Sequence, residues 1–327
     1  MRITRRAVLG AASLPLLAAP LAAPLRAQGG FPQRPLRIVI GFPPGGGIDI
    51  LARLMAPHMT ARLGQPVVVE NRPGANGLVA TQAVLGAEAD GHTMFFGTTG
   101  NLAVNAGLYP NAGFDLLRDM APVSLVASLP FVMVVNPGVA ARDVAEFIAL
   151  AKARPGTLNY ASSGNGGLPH LSGELLNAAG GISTIHIPYR GSAPAFTDVI
   201  AGQCQFMFDA LAIAQPHIAS GRVRALGVTG PRPMASLPGV APVAATVPGY
   251  EVVNWYGMTV RAGTPAAIVT RLQAEIAAAL AVPEVAERSA ALGLDLVGST
   301  PDDFATFQRA EIVKWGEVVR RGNIRPD

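Results

Sequence analysis

"APVSLVASLPFVMVVNPG", residues 121–138, contains two apolar extended runs with only Ser128–Pro130 between them. A continuous extended path of this length exceeds one typical strand of about five or six residues. Such a path can carry the chain out of one sheet and into another, so the sequence divides around it.

On the amino-terminal side, strand-like and helix-like segments alternate. "LRIVIGF" (36–42), "PVVVENR" (66–72) and "HTMFFGTTG" (92–100) are short β-branched or aromatic runs. Apolar residues repeating every four positions from Ile50 to Leu63 predict an amphipathic helix, with a kink at Pro57. "LVATQAVLGA" predicts a second helix. Three strand–helix steps imply a parallel sheet with right-handed crossovers. On the carboxyl-terminal side the alternation restarts: helix 143–153, strand and turn 157–167, the helix "LPHLSGELLNAAG", strand 183–191, helix "SAPAFTDVIAG" and strand 203–211. "VRALGVTG" (223–230) is extended again and reads as a return crossing near 225–229. The stretch 231–250 holds five prolines and reads as an irregular surface connection. "YEVVNWYGMTVRAG" follows. Two capped helices open at Thr264–Pro265 and at Thr300–Pro301–Asp302–Asp303. The expected fold class is α/β with two lobes: residues 28–129 plus 229–327 as a discontinuous first lobe, and 130–228 as the second.

Composition narrows the function. Half of the 327 residues are hydrophobic and 14% are charged, enough apolar material for large cores and too little charge for disorder. The formal charge of +4 suggests a nucleic-acid binder, but residues 1–27 carry Arg2, Arg5, Arg6 and Arg26 and no acid. Without them the 21 remaining basic residues equal the 21 acidic ones, and the case for nucleic acid or anionic lipid falls away. "MRITRR", the uncharged apolar run after it and "LRA" before Gln28 read as an export signal ending at residue 27. The Arg pair fits either a Sec or a twin-arginine route. Cys204, the single cysteine, excludes an internal disulfide and is expected in a buried strand. No G-x-S-x-G, H-E-x-x-H or close His/Cys pair is present, so neither a nucleophile elbow nor a metal site is expected.

In a parallel α/β sheet, ligands sit beyond the carboxyl ends of the strands, where the glycine-rich turns fall. In "GFPPGGGIDI", Gly45, Gly46 and Gly47 expose backbone N–H groups ahead of a helix whose amino end is partly positive. Such a turn can bind an anion without Lys or Arg. The spacing fits neither a dinucleotide fingerprint nor a P-loop. Asp49, in the helix's first turn, either complements the helix dipole or meets a ligand's amine or hydroxyl. "YASSGNGGLPHL" supplies Ser162, Ser163, Asn165 and Gly164 in the other half, with His170 at the next helix start. "GTTGN" adds Thr98, Thr99 and Asn101. Tyr189 and Arg190 can cover an apolar or ring portion of a ligand, Arg190 reading better as a surface charge. Asp209 is equally a cap or a contact.

Taken in order, "PPGGGIDILAR", "GQPVVVENRPGANG", "MAPVSLVAS", "LNYASSGNGGLPHLSGELL", "IPYRGSAPAFTDVIAGQCQFMFD" and "VRALGVTG" resemble the Bug family of extracytoplasmic solute receptors. These are the binding components of tripartite tricarboxylate transporters, and the resemblance runs through essentially the whole exported chain. It implies a type II periplasmic binding-protein fold that closes over a small carboxylate: a di- or tricarboxylate, an acidic amino acid or an aromatic acid. It implies ligand contacts at Phe42, Pro43, Gly45, Gly46, Gly47 and Asp49, at Thr98 and Asn101, at Ser162, Ser163, Gly164 and His170, and at Tyr189 and Asp209. Ile48 departs from the Thr of many relatives and makes that wall apolar. The expectation is a periplasmic receptor, soluble and monomeric once mature, without cofactor or metal, that passes its ligand to membrane transporter subunits. Two alternatives stay open: a cleft hydrolase or isomerase acting on a carboxylate, and a sensor that presents its closed form to a signalling partner.

Overall fold

The computed structural model describes residues 30–325. The export signal expected at residues 1–27 lies outside them. The chain opens with β1 (Leu36–Ile40), α1 (Gly47–Leu63), β2 (Val67–Asn71), α2 (Leu78–Leu85) and β3 (Thr93–Thr98). Helical turns at Gly100–Val104, α3 (Asn105–Leu108) and α4 (Leu116–Asp119) lead into β4 (Met120–Val135). Then come α5 (Val144–Ala153), β5 (Asn159–Ser162), α6 (Leu168–Gly180), β6 (Ile185–Pro188), α7 (Ser192–Ile200), β7 (Phe206–Ala210), α8 (Leu211–Ala219) and β8 (Arg224–Val228). The last stretch holds β9 (Val253–Arg261), α9 (Ala266–Leu280), α10 (Pro283–Ala291), β10 (Asp295–Leu296) and α11 (Pro301–Arg321).

β4 is 16 residues long and belongs to two sheets. Up to Pro130 it pairs antiparallel with β9. From Phe131 onward it pairs antiparallel with β7 and β8. The first sheet runs β2-β1-β3-β9-β4 with β10 on the far side of β4, and the second continues β4-β7-β5-β6. β1, β2 and β3 are mutually parallel, as are β5, β6 and β7. The seam is not parallel, because a strand that leaves a sheet and the strand that returns to it run in opposite directions.

Thr229 ties the seam together. Its amide donates to Phe131 O at 2.9 Å, its Oγ1 accepts from Phe131 N at 2.7 Å and donates to Val252 O at 2.6 Å, and its carbonyl accepts from Val252 N at 2.9 Å. The Pro-rich stretch 231–250, grouped with the first lobe on sequence grounds, packs on the second sheet along residues 237–250. Ala241 O accepts from Val228 N, Leu237 joins the core formed by Val132, Phe196 and Met207, and Tyr250 Oη donates to Ser172 O at 3.2 Å. Its few apolar side chains find their burial there, and the chain re-enters the first sheet only at Val253.

Each sheet carries its own core. Phe95, Phe96, Trp255 and Phe304 are fully buried in the first, and Tyr160, Phe196 and Phe206 in the second. Side chains of this size contribute about 1.5–3 kcal/mol each when removed from water. α1 is one continuous helix that contains Pro57; Pro57 and Arg53, whose carbonyl loses its helical partner, both face solvent. Three local expectations fail. Thr264 does not cap α9; its hydroxyl bonds Arg261 O instead, while Thr300 does cap α11 through Asp303 N. Cys204 is buried, but in the bend before β7 rather than in the strand. The carboxyl-terminal part also holds a third helix, α10, whose Pro283 occupies the first helical position.

Candidate functional site

A cleft of about 670 Å³ opens where β1, β3 and β7 end and the turn after β5 begins. Two other cavities reach similar size, about 810 Å³ between α6 and α11 and about 690 Å³ behind the β4 seam, but neither lies at the carboxyl ends of the parallel strands. Eight of the anticipated residues line the cleft: Phe42, Pro43, Gly45, Gly46, Gly47, Thr98, Ser163 and Asp209.

Two turns of matching construction face it. In the first, Gly46 caps α1 from an extended conformation (φ −75°, ψ 163°) with no side-chain cap, and Gly45 holds a positive φ of 93°. Asp49 reaches back beneath the turn. Its Oδ2 accepts from Gly45 N at 2.9 Å and from Arg53 Nε at 3.0 Å, and its Oδ1 accepts from Asn71 Nδ2 at 2.9 Å. Burial pushes the Asp49 carboxyl up, but the bonds from Arg53, Gly45 and Asn71 outweigh it and hold the group below the usual carboxylate range. Asp49 is therefore a buried brace for the turn and not a cleft residue. The N–H groups of Gly47 and Ile48 open the helix and have no acceptor within it.

In the second turn, Gly167 caps α6 (φ −72°, ψ 158°), again without a side-chain cap, and Gly166 has a positive φ of 67°. His170 takes the place of Asp49: its Nδ1 accepts from Gly166 N at 3.1 Å. Its ring stacks on His186 at 3.7 Å, and His186 Nε2 lies 2.6 Å from Ser162 Oγ. Ser162 Oγ also bonds Gly164 O at 3.0 Å and is fully buried. The Ser162–His186 pair thus holds the turn from behind, out of reach of a substrate. Pro169, at the second helical position, removes one of the amide donors this helix end would otherwise offer.

The remaining anticipated residues divide in the same way. Asn101 Oδ1 accepts from Thr98 N at 2.7 Å and its Nδ2 donates to Asn76 O at 3.0 Å, so it props the wall that Thr98 and Asn76 present. Tyr189, expected over a ligand ring, turns into the second core, where its hydroxyl donates to Asp198 Oδ2 at 2.6 Å; burial pushes the phenol up. Gly164, Ser162, His170, Asn101, Asp49 and Tyr189 all lie off the cleft lining. Arg190 is exposed. Asp209, by contrast, is 4% exposed; its Oδ1 accepts from Ala210 N at 2.7 Å, and its Oδ2 is itself shut away from solvent. Burial pushes its carboxyl up to about 6, only partly offset by nearby Ser192 and the Ala210 amide.

Residues at the amino end of β9 complete the cleft, though no turn motif marks them. Asn254 and Tyr256 line it, two positions apart and so on one face of the strand. A Cβ on Gly47 would stand 3.0 Å from Tyr256 Oη, so the phenol lies beside the opening of α1. Burial pushes that phenol up to about 12, which keeps it a neutral donor. Asn254 Oδ1 accepts from Thr99 Oγ1 at 3.1 Å, which leaves its NH₂ as the donor for the cleft. Among the described residues lining the cleft, Asp209 alone is charged, and no Lys or Arg contributes. The arrangement can hold an anion by main-chain and neutral donors; it offers no activated nucleophile.

The family described as "Tripartite tricarboxylate transporter family receptor" matches residues 51–324. The chain belongs to this family. The receptor is 40% identical over 291 residues to the "UPF0065 protein in tcbD-tcbE intergenic region" of Pseudomonas sp. (strain P51), covering 88% of this chain and 86% of that protein. It is 35% identical over 322 residues to protein BugT of Bordetella pertussis, covering 98% of each, in accord with the Bug resemblance. Among solved structures, R. palustris Rpa4515 with adipate superposes with a TM-score of 0.77 at 34% identity, over 91% of this chain and all of that one. These matches fix the two-lobed binding-protein fold and a receptor rather than an enzyme.

Proposed function

We propose that this receptor captures a small carboxylate in the cleft and hands it to the membrane subunits of a tripartite transporter. The carboxylate is held by the amides of Gly47 and Ile48, with the hydroxyl of Tyr256 beside them. The single observation that carries this reading is an uncapped helix end facing a cleft that no Lys or Arg lines. Adipate in the related Rpa4515 supports the ligand class. Receptors of this family are periplasmic. Export by the Sec or twin-arginine route through residues 1–27, and action as a monomer, complete the proposal. The lobes are taken as residues 32–130 with 253–325, and 131–252, closing about Pro130–Phe131, Thr229 and Val252.

Gly46→Phe tests this reading. Gly46 is extended, and a Cβ there meets nothing within 4 Å, so the fold tolerates a side chain that enters the cleft. A thermal-shift screen of carboxylates identifies a ligand, which at 100 times its dissociation constant adds about 2.7 kcal/mol of stability. The variant is expected to lose at least 100-fold in affinity with its own melting temperature little changed. Unchanged affinity would place the ligand elsewhere.

A further inference from the structure

The braces of the two turns respond differently to acid. Both occupy the third helical position and reach back to an N–H ahead of the cap, where a capping box uses Glu or Gln. Asp49 is held below the usual carboxylate range, so it stays an acceptor well below neutral pH. His170 has no such reserve. Its Nδ1 accepts from Gly166 N at 3.1 Å only while that nitrogen carries no proton. An imidazole in water takes its second proton near about pH 6.5, and the cation is a donor at both nitrogens. Nδ1–H would then oppose the Gly166 N–H, and a buried amide would lose its acceptor. Gly166 lines the cleft with its neighbours Ser163 and Gly167, so the surface they offer a ligand depends on the brace.

The groups around His170 pull both ways. Glu174, one turn further along α6, lies 4.0 Å from Nε2 and favours the cation. Its carboxylate also accepts from Tyr160 Oη of β5 at 2.6 Å. The His186 ring of β6 stacks at 3.7 Å and opposes a second charge. From α11, Arg309, Lys314, Glu317 and Arg321 line the groove that Glu174 enters. Asp209 of β7 lines the cleft with the turn, its carboxyl pushed up to about 6 by burial. Resting on the receptor reading above, we propose that His170 is a positioning residue whose protonation frees the second turn, so that ligand affinity falls on acidification. The direction is diagnostic. A positive charge gained at His170 and a negative charge lost at Asp209 each favour an anion on Coulomb grounds. Of these groups, only the broken brace pulls affinity down.

Nuclear magnetic resonance follows the His170 ring and the Gly166 amide of the purified protein from pH 8 to 5.5. Both are expected to titrate with one midpoint. In His170→Gln, whose side-chain oxygen accepts without titrating, the Gly166 signal should stay fixed. Calorimetric titration with adipate, malate, benzoate and citrate reads affinity over the same range. For the acid that binds most tightly at pH 8, the wild type is expected to lose at least threefold more affinity on going to pH 5.5 than His170→Gln, a reference that cancels the acid's own protonation. Asp209→Asn should deepen the loss. If His170→Gln does not fold, saturating the wild type with the same acid should lower the His170 midpoint, because proton and ligand oppose each other reciprocally. A His170 that stays neutral while His186 takes the proton, a fixed Gly166 signal in the wild type, or parallel affinity profiles overturns the inference and leaves the receptor reading standing. Failure of all four acids to bind at pH 8 overturns that reading, and the ring and amide titrations then decide the brace by themselves.

Discussion

The two glycine turns share a backbone plan and differ in what braces them. In both, a residue three places after the cap accepts the N–H of the residue before it: Asp49 from Gly45, His170 from Gly166. In the first turn the brace is an ionised carboxylate tied to Arg53 and Asn71. In the second it is an imidazole stacked on His186, with Ser162 behind it. The first turn keeps its amides and gains Tyr256. The second loses a donor to Pro169 and sits beside Asp209. Similar geometry therefore supports different chemistry: the first end presents amide and phenol donors, while the second has one donor fewer and a buried carboxyl beside it.

That contrast can be broken first at the braces. Asp49→Ala leaves Arg53, Asn71 and the Gly45 amide without their acceptor, and is expected to destabilise the protein by about 3 kcal/mol in urea denaturation. His170→Ala removes the acceptor of the Gly166 amide and the stacking on His186, and should cost about half as much. Equal losses would mean that charge at the first brace contributes nothing.

The next effect separates the ends by pH. Asp209 is raised when folded, from 3.8 to about 6. Below about pH 4 it is protonated in both folded and unfolded chains and costs nothing. As pH rises from 4 to 6 only the folded protein keeps the proton, so stability falls; above 6 the full penalty, on the order of 3 kcal/mol, is present. Asp209→Asn should flatten this descent when unfolding free energy is followed between pH 4 and 8. A difference between wild type and Asp209→Asn that rises through the same window would contradict the assigned direction.

The smallest effect sharpens the anion end. Tyr256→Phe removes a hydroxyl that has no hydrogen bond among the described residues, so stability should hold. Carboxylate affinity should fall by roughly fivefold, the worth of about one neutral hydrogen bond. An unchanged dissociation constant in titration would remove Tyr256 from the site.

Much of this arrangement is legible in the sequence. The 121–138 run declares the crossing strand, because no single sheet of ordinary width absorbs 16 extended residues. Gly45–Gly47 and Ser163 mark the turns by composition alone. The amino end of β9 is not legible, because Asn254 and Tyr256 reach the cleft only through an antiparallel strand among parallel ones. Local pattern does not reveal that direction. Nor does it reveal whether a short polar side chain in a glycine turn faces the cleft or supports it from behind. Ser163 faces it; Asp49, Asn101, Ser162 and His170 support it, because a turn made of glycine needs side chains elsewhere to hold its shape.

A crystal structure of the protein with a bound carboxylic acid tests the central claim most directly. The account predicts one carboxylate oxygen within about 2.7–3.2 Å of the amides of Gly47 or Ile48. It also predicts Tyr256 Oη alongside and no Lys or Arg in contact. A carboxylate seated at the Asp209 end, or gripped chiefly by guanidinium or ammonium groups, would contradict it.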